Sequence, residues 1–171
     1  MKTKILLLLL ALLFSTSAAA ITPMFLKMDP IKGESQDVNH KNQIDVLAWS
    51  WGTSSDGRQT CIQDISITKY VDSASPDLLM GIAEGTLYDE ARLSVTKRTG
   101  SAEGGGLEYI VLTMTDVTIS SVSTGGSGGE DRLTENVSLD FGMLKYEYTP
   151  QNADGSAGPT KEAMIFPQKC K

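Results

Sequence analysis

The feature that most constrains this chain is a glycine run set between two alternating apolar stretches: between Ser121 and Phe141 it reads SVSTGGSGGEDRLTENVSLDF. Apolar and polar residues alternating at period two mark strands with one buried face, and a glycine cluster between two such runs marks a β-hairpin turn. Gly125, Gly126, Gly128 and Gly129 can take positive φ at no steric cost, so the chain can reverse sharply or let another backbone come close. Glu130, Asp131 and Arg132 follow and are expected to keep the turn solvated. A hairpin of this kind points to a protein that assembles.

Short alternating runs rich in β-branched and aromatic residues recur elsewhere, separated by Gly, Asp and Ser clusters, and predict a mainly β chain. Strands are expected over residues 24–28, 43–51 and 62–71, with residues 34–42 as a loop. In the second of these, Leu47, Trp49 and Trp51 occupy the odd side while Ile44, Val46 and Ala48 occupy the even side. Both faces are therefore expected to be covered, either by contacts beyond the chain's own core or because the strand is central, between the interior and the helix. Ala91, Leu93 and Val95 give a fourth strand with one wet face. A fifth changes phase, since Ile110, Leu112 and Met114 are even while Val117 and Ile119 are odd, and a bulge near Asp116 accounts for the slip. The last long strand changes phase across Gly142. Bulges bend strands, and bent strands close barrels. Residues 150–159 are a polar loop, and residues 163–166 could add a short final strand.

One segment breaks the β pattern. Residues 75–85 read as a helix, with Ser75 as N-cap, Pro76 in the first turn and Gly85 at the left-handed C-terminal position. Leu78, Leu79, Ile82 and Ala83 would form its buried stripe.

Lys2 and Lys4 precede an apolar run over residues 5–14 and then Ala18, Ala19 and Ala20, the layout of a secretory signal peptide, with cleavage expected after Ala20. The run falls short of the roughly 20 residues that span a bilayer, and no other stretch is as apolar. Residues 21–171 then form a single domain in the periplasm or outside the cell, without membrane insertion once the leader is gone. Losing both lysines moves the formal charge from −6 to −8, which disfavours nucleic acid and anionic lipid as partners. Cys61 and Cys170 remain, and in an oxidising compartment they are expected to pair. For Cys61 the alternative is a small buried apolar side chain.

Catalytic patterns do not hold together. Gly125, Ser127 and Gly129 satisfy G-x-S-x-G, but an α/β-hydrolase needs its histidine after the serine, and His40, the one histidine, comes before it. His40, between Asn39 and Lys41, is expected in an exposed loop. One histidine and two distant cysteines do not make a zinc site, and Glu130, Asp131 and Glu135 lack EF-hand spacing, so a solvated charged loop is expected there. Neither a cofactor nor a metal is indicated.

Residues 24–27 (MFLK), 31–35 (IKGES), 44–52 (IDVLAWSWG), the strand from Gln63 and Asp64 to Tyr70, the helix start at Ser75 and Pro76, residues 124–139 and the closing stretches 148–151 (YTPQ) and 153–155 (ADG) together resemble the Hcp family, the haemolysin-coregulated tube proteins of type VI secretion systems. The resemblance implies a compact barrel of two β-sheets with one flanking α-helix, homohexameric rings that stack into a hollow tube, and small effector proteins held in the channel. Other type VI components are implied partners. It makes the even side of the second strand, with Ala48 and Ser50, the candidate channel-facing surface, and residues 125–132 the candidate assembly loop. The chain departs from the family in its leader, in a shorter segment over residues 52–60 than the glycine-rich loop by which many relatives' rings meet, and in a tail that ends in Cys170 where relatives usually carry a tryptophan-containing strand. A non-catalytic ring-forming subunit is the leading reading. A monomeric or dimeric periplasmic or secreted binding or adaptor module on the same barrel is the alternative, and a serine hydrolase is a much weaker third.

Overall fold

Inward-facing aliphatic residues on six strands decide the architecture. In the computed structural model, which describes residues 22–55, 57, 60–97, 106–129, 131–166 and 168–169, the chain runs β1 (Met24–Lys27), β2 (Ile44–Ser50), β3 (Thr53–Ser55), β4 (Thr60–Ile62), β5 (Ile65–Tyr70), α1 (Ser75–Glu84), β6 (Leu87–Lys97), β7 (Leu107–Gly125), β8 (Thr134–Asp140), β9 (Met143–Tyr148), β10 (Lys161–Ile165) and β11 (Gln168–Lys169). The order β7-β6-β1-β2-β5-β8 closes on itself because β8 also pairs with β7. Leu26, Ile44, Ile65, Leu93, Leu112, Met114 and Leu139, all fully buried, fill the resulting barrel, each contributing about 1.5–3 kcal/mol relative to exposure. The expected mainly β barrel with one helix is the fold found.

The closure depends on one corner in β7. Its first half pairs with β9, Thr115 facing Met143, and its second half pairs with β8, from Thr118 facing Asp140. Asp116, between the halves, has φ 53°. This left-handed residue lets Met114 and Val117 both point inward, which is the phase slip visible in the sequence. The expected last long strand is cut at the same corner into β8 and β9. Gly142 donates its N–H to the Thr115 carbonyl at 2.9 Å, and a Cβ there would lie 3.0 Å from the Asp116 Cβ.

The third expected strand is β5, which starts at Ile65 because Ile62 belongs to β4. At Gln63, whose N–H donates to the Gly52 carbonyl at 3.0 Å, the chain leaves a small hairpin of β3 and β4 and enters the barrel as β5. β11 adds to the outer edge of β4 in parallel, completing a separate three-stranded sheet.

β2 corrects the expectation of two covered faces. Its register with β5 shifts between Val46 and Ala48. Ile44 and Val46 point inward before the shift, and Trp49 and Trp51 pack against the core after it. A bulge thus moves one buried face from even to odd positions. Ala48 and Ser50 lie on the exposed side, and Leu47, at the bulge, is half-exposed.

α1 begins one residue earlier than expected. Ala74 is the N-cap, its N–H donating to Asp72 Oδ1 at 2.9 Å, while the Ser75 hydroxyl is turned to other partners. Gly85 closes the helix at φ 64°, as its position implied. Leu78 is buried and Ile82 partly so, but Leu79 is 58% exposed and Ala83 is also exposed. Gly81 takes their place: a Cβ there would meet the Tyr88 hydroxyl and Ile119, so the missing side chain lets the helix lie close on the barrel.

His40 is not in an exposed loop; it is 4% exposed. Its ring stacks on Phe25, centroids 4.1 Å apart and planes 6° from parallel. Phe25 is the outward residue of β1, so the imidazole covers an aromatic surface that would otherwise face water.

Candidate assembly face

Strand register builds a polar face on the outside of the barrel. Ser50 faces Ser66, Ser66 faces Ser138, and Ser138 faces Ser121, a row across β2, β5, β8 and β7. The next row is Ala48, Thr68, Asn136 and Ser123. All eight side chains are small and uncharged. Thr68 donates its hydroxyl to Asn136 Oδ1 at 2.7 Å, and the Ser66 and Ser138 hydroxyls lie 3.4 Å apart. Ala48, Ser50, Ser121, Ser123 and Asn136 are exposed. The two sequence-predicted residues, Ala48 and Ser50, are thus brought together with six others. Those six belong to strands far apart in the chain, and only the pairing reveals them.

The candidate assembly loop borders this face where β7 turns into β8. Gly125, Gly126, Ser127, Gly128 and Gly129 are all exposed. None of the four glycines has positive φ, which corrects the conformational reason given for them. Only at Gly126 would a side chain be excluded, by Leu133. Glu130 lies outside the described residues. Asp131 and Arg132 are exposed, and the Arg132 guanidinium sits 4.0 Å above the Tyr70 ring, a cation–π contact that fixes one end of the loop.

Directly beneath, on the inward face, Lys69 faces Glu135 across β5 and β8. The fully buried ammonium donates to Glu135 Oε1 and Asp72 Oδ1, each at 2.7 Å, and to the Tyr70 carbonyl at 2.8 Å. Ser75 donates to Glu135 Oε1 at 2.8 Å and accepts the Asp72 N–H at 3.0 Å. Glu135 was expected in a solvated loop; it is 3% exposed. The cluster has a signal in the sequence that the strand pattern alone does not bring out. Lys69 continues the inward parity of Ile65 and Ile67, and Glu135 that of Val137 and Leu139, so two opposite charges stand at core positions.

A second charged group lies on the outer side of β6 and β7. Arg92 makes two bonds to Glu108, at 2.9 and 2.6 Å, and His40 Nε2 lies 2.9 Å from Glu108 Oε1 while Nδ1 lies 2.8 Å from Asp37 Oδ1. The Arg92 hydrogen bonds outweigh burial and hold the Glu108 carboxyl down at about 2, and in return Glu108 raises Arg92. Burial works to raise Asp37, but hydrogen bonds from His40 and from the Asn39 and His40 N–H groups hold it below its ordinary value. With both ring nitrogens engaged, His40 has none to offer Ser127, which sits in the exposed glycine loop.

β11 places Gln168 beside Cys61 in parallel register. Cys170 lies outside the described residues, as do residues 1–20, the expected leader.

Residues 25–148 match the family model described as type VI secretion system effector, Hcp. The protein Hcp1 of Pseudomonas aeruginosa is 46% identical over 150 residues, spanning 81% of this chain and 91% of the relative. Among solved structures, Hcp1 from Salmonella typhimurium has a TM-score of 0.73 at 34% identity, covering 86% of this chain and 95% of that one. A type VI secretion system effector from Yersinia pestis has a TM-score of 0.71 at 32% identity, covering 84% and 98%.

Proposed function

Because this chain belongs to the Hcp family of type VI secretion proteins, we propose that it is a structural, non-catalytic subunit that assembles as a homohexameric ring, with the serine-rich face turned to the channel. The observation that carries the reading is that face itself: two rows of small uncharged side chains over four adjacent strands, with Ala48 and Ser50 at one edge. Rows of small side chains without charge or large apolar groups let a small folded protein lodge without tight fixation. Ring closure uses heterologous contacts, one flank of a subunit against a different flank of its neighbour, and the loop over residues 125–132 borders the face where such a contact would fall. Other type VI components and small effector proteins are the remaining partners in this reading.

The signal peptide over residues 1–20 would deliver the chain to the periplasm or the outside, and Cys61 would there pair with Cys170. The parallel β4–β11 pairing, which brings Gln168 alongside Cys61, supports that bond. The same pairing favours a second reading, a monomeric or dimeric adaptor module. The segment over which many relatives' rings meet is here a hairpin of two three-residue strands, and the tail occupies its outer edge.

Ser50→Trp tests the channel assignment. Ring formation should persist, seen as unchanged elution, while retention of a small co-expressed effector protein falls at least several-fold. Undiminished retention would contradict the placement of Ser50.

A further inference from the structure

We propose that His40 is a proton-operated clasp that fastens the strap over residues 34–42 to the barrel wall, closed when the imidazole is charged and released on one side when it is neutral. Both ring nitrogens face carboxylate oxygens, Nδ1 that of Asp37 at 2.8 Å and Nε2 that of Glu108 at 2.9 Å. A carboxylate only accepts, so both contacts are hydrogen bonds only when both nitrogens carry protons; a neutral imidazole has one N–H and must leave the other lone pair against an oxygen. The carboxylates stay ionised well into acid, for the reasons given above, so the proton that decides the state of the clasp is the one on His40.

The groups around the ring come from four elements. Asp37 belongs to the strap, Glu108 to β7 and Arg92, which holds Glu108, to β6. Asp45 of β2 stands cross-strand from Phe25, the ring on which the imidazole lies. Two carboxylates touch the ring, one at each nitrogen, and Arg92 pairs with only one of them. The strap's far contact does not titrate with His40: Glu34 accepts the Ser73 N–H ahead of α1 at 3.1 Å. Backbone hydrogen bonds between Ser35 and Asn42 and from Ser35 to the Gln43 carbonyl also hold the base of the strap, so loss of the clasp loosens its tip while the base stays tied. The contact is complete while the ring carries both protons and halved once it loses one.

As the single histidine of the chain, His40 can be followed without assignment ambiguity by its ring nitrogen shifts. The test combines that titration with hydrogen exchange of residues 34–42 on the full-length chain between pH 5 and pH 8.5, corrected for intrinsic exchange. Strap protection should fall at least threefold over the same interval in which the ring loses its proton, while the β6–β7 amides stay unchanged. His40→Gln, which has one donor and one acceptor, should show the alkaline level of protection throughout. Protection that stays constant through the ring titration, or a ring that is neutral from pH 5 upward, would overturn the clasp, and both are read on the unmodified protein even if the variant does not fold.

Discussion

Lys69 and Glu135 face each other across two neighbouring strands, Nζ 2.7 Å from Oε1, at positions 0% and 3% exposed on the barrel's inward side. Around them Asp72 and Ser75 complete a buried group that ties the end of β5 to the start of α1 and lies under the exposed serine rows. Removing one member of a buried ion pair leaves the other charge without compensation, whereas removing the pair removes the cost of burying it. Lys69→Met should therefore lower unfolding stability by about 3–5 kcal/mol in urea titrations. Lys69→Met combined with Glu135→Leu should recover a measurable part, the remainder reflecting Asp72. Equal losses in the single and double variants would contradict this account of the pair.

The Arg92–Glu108 pair sets an acid limit. Because the folded carboxyl titrates at about 2, against an ordinary value of 4.5, its contribution is present above the ordinary value and is lost as pH falls toward 2. Allowing for a side chain that remains 30% exposed, the stability at stake is about 2 kcal/mol. Between pH 5 and pH 2, Glu108→Gln should lose less stability than the parent by about that amount. Parallel curves for the two proteins would remove the assignment.

Asp116 holds the corner that lets β7 change partners. A β-branched residue at its φ of 53° meets the steric penalty of the left-handed region, so Asp116→Val should cost about 1–2 kcal/mol, whereas Asp116→Gly should be tolerated. Thermal unfolding of the two variants decides the matter, and the opposite order would show that the side chain of Asp116, not its backbone, is what the corner needs.

These residues also show what the sequence exposed and what it concealed. The corner was legible because a phase change between Met114 and Val117 is written along one strand. The bulge in β2 was concealed because apolar residues on both parities describe a strand covered on two faces as well as one whose buried face switches at Val46. Ser75 has the chemistry of an N-cap, but the buried Lys69 and Glu135 claim its hydroxyl, and that tertiary demand outweighs local preference. His40 could not be placed, since its second carboxylate lies 68 positions away. The serine face was half legible for the same reason: Ala48 and Ser50 stand on one strand, while Ser66, Ser138 and Ser121 join them only through register.

The tail should be covalently held. Peptide mapping without reductant is expected to find Cys61 joined to Cys170, and the double substitution to serine should lower stability by about 2–5 kcal/mol. Two free thiols on the purified protein would contradict the bond and, with it, the proposed delivery to an oxidising compartment.

The central claim is that copies of this barrel close into a ring. Light scattering on residues 21–171 during size exclusion measures the assembly directly. About six times the mass of one chain is predicted, in keeping with closed cyclic symmetry; a mass of one chain that persists at high concentration would contradict the ring and leave the adaptor reading in its place.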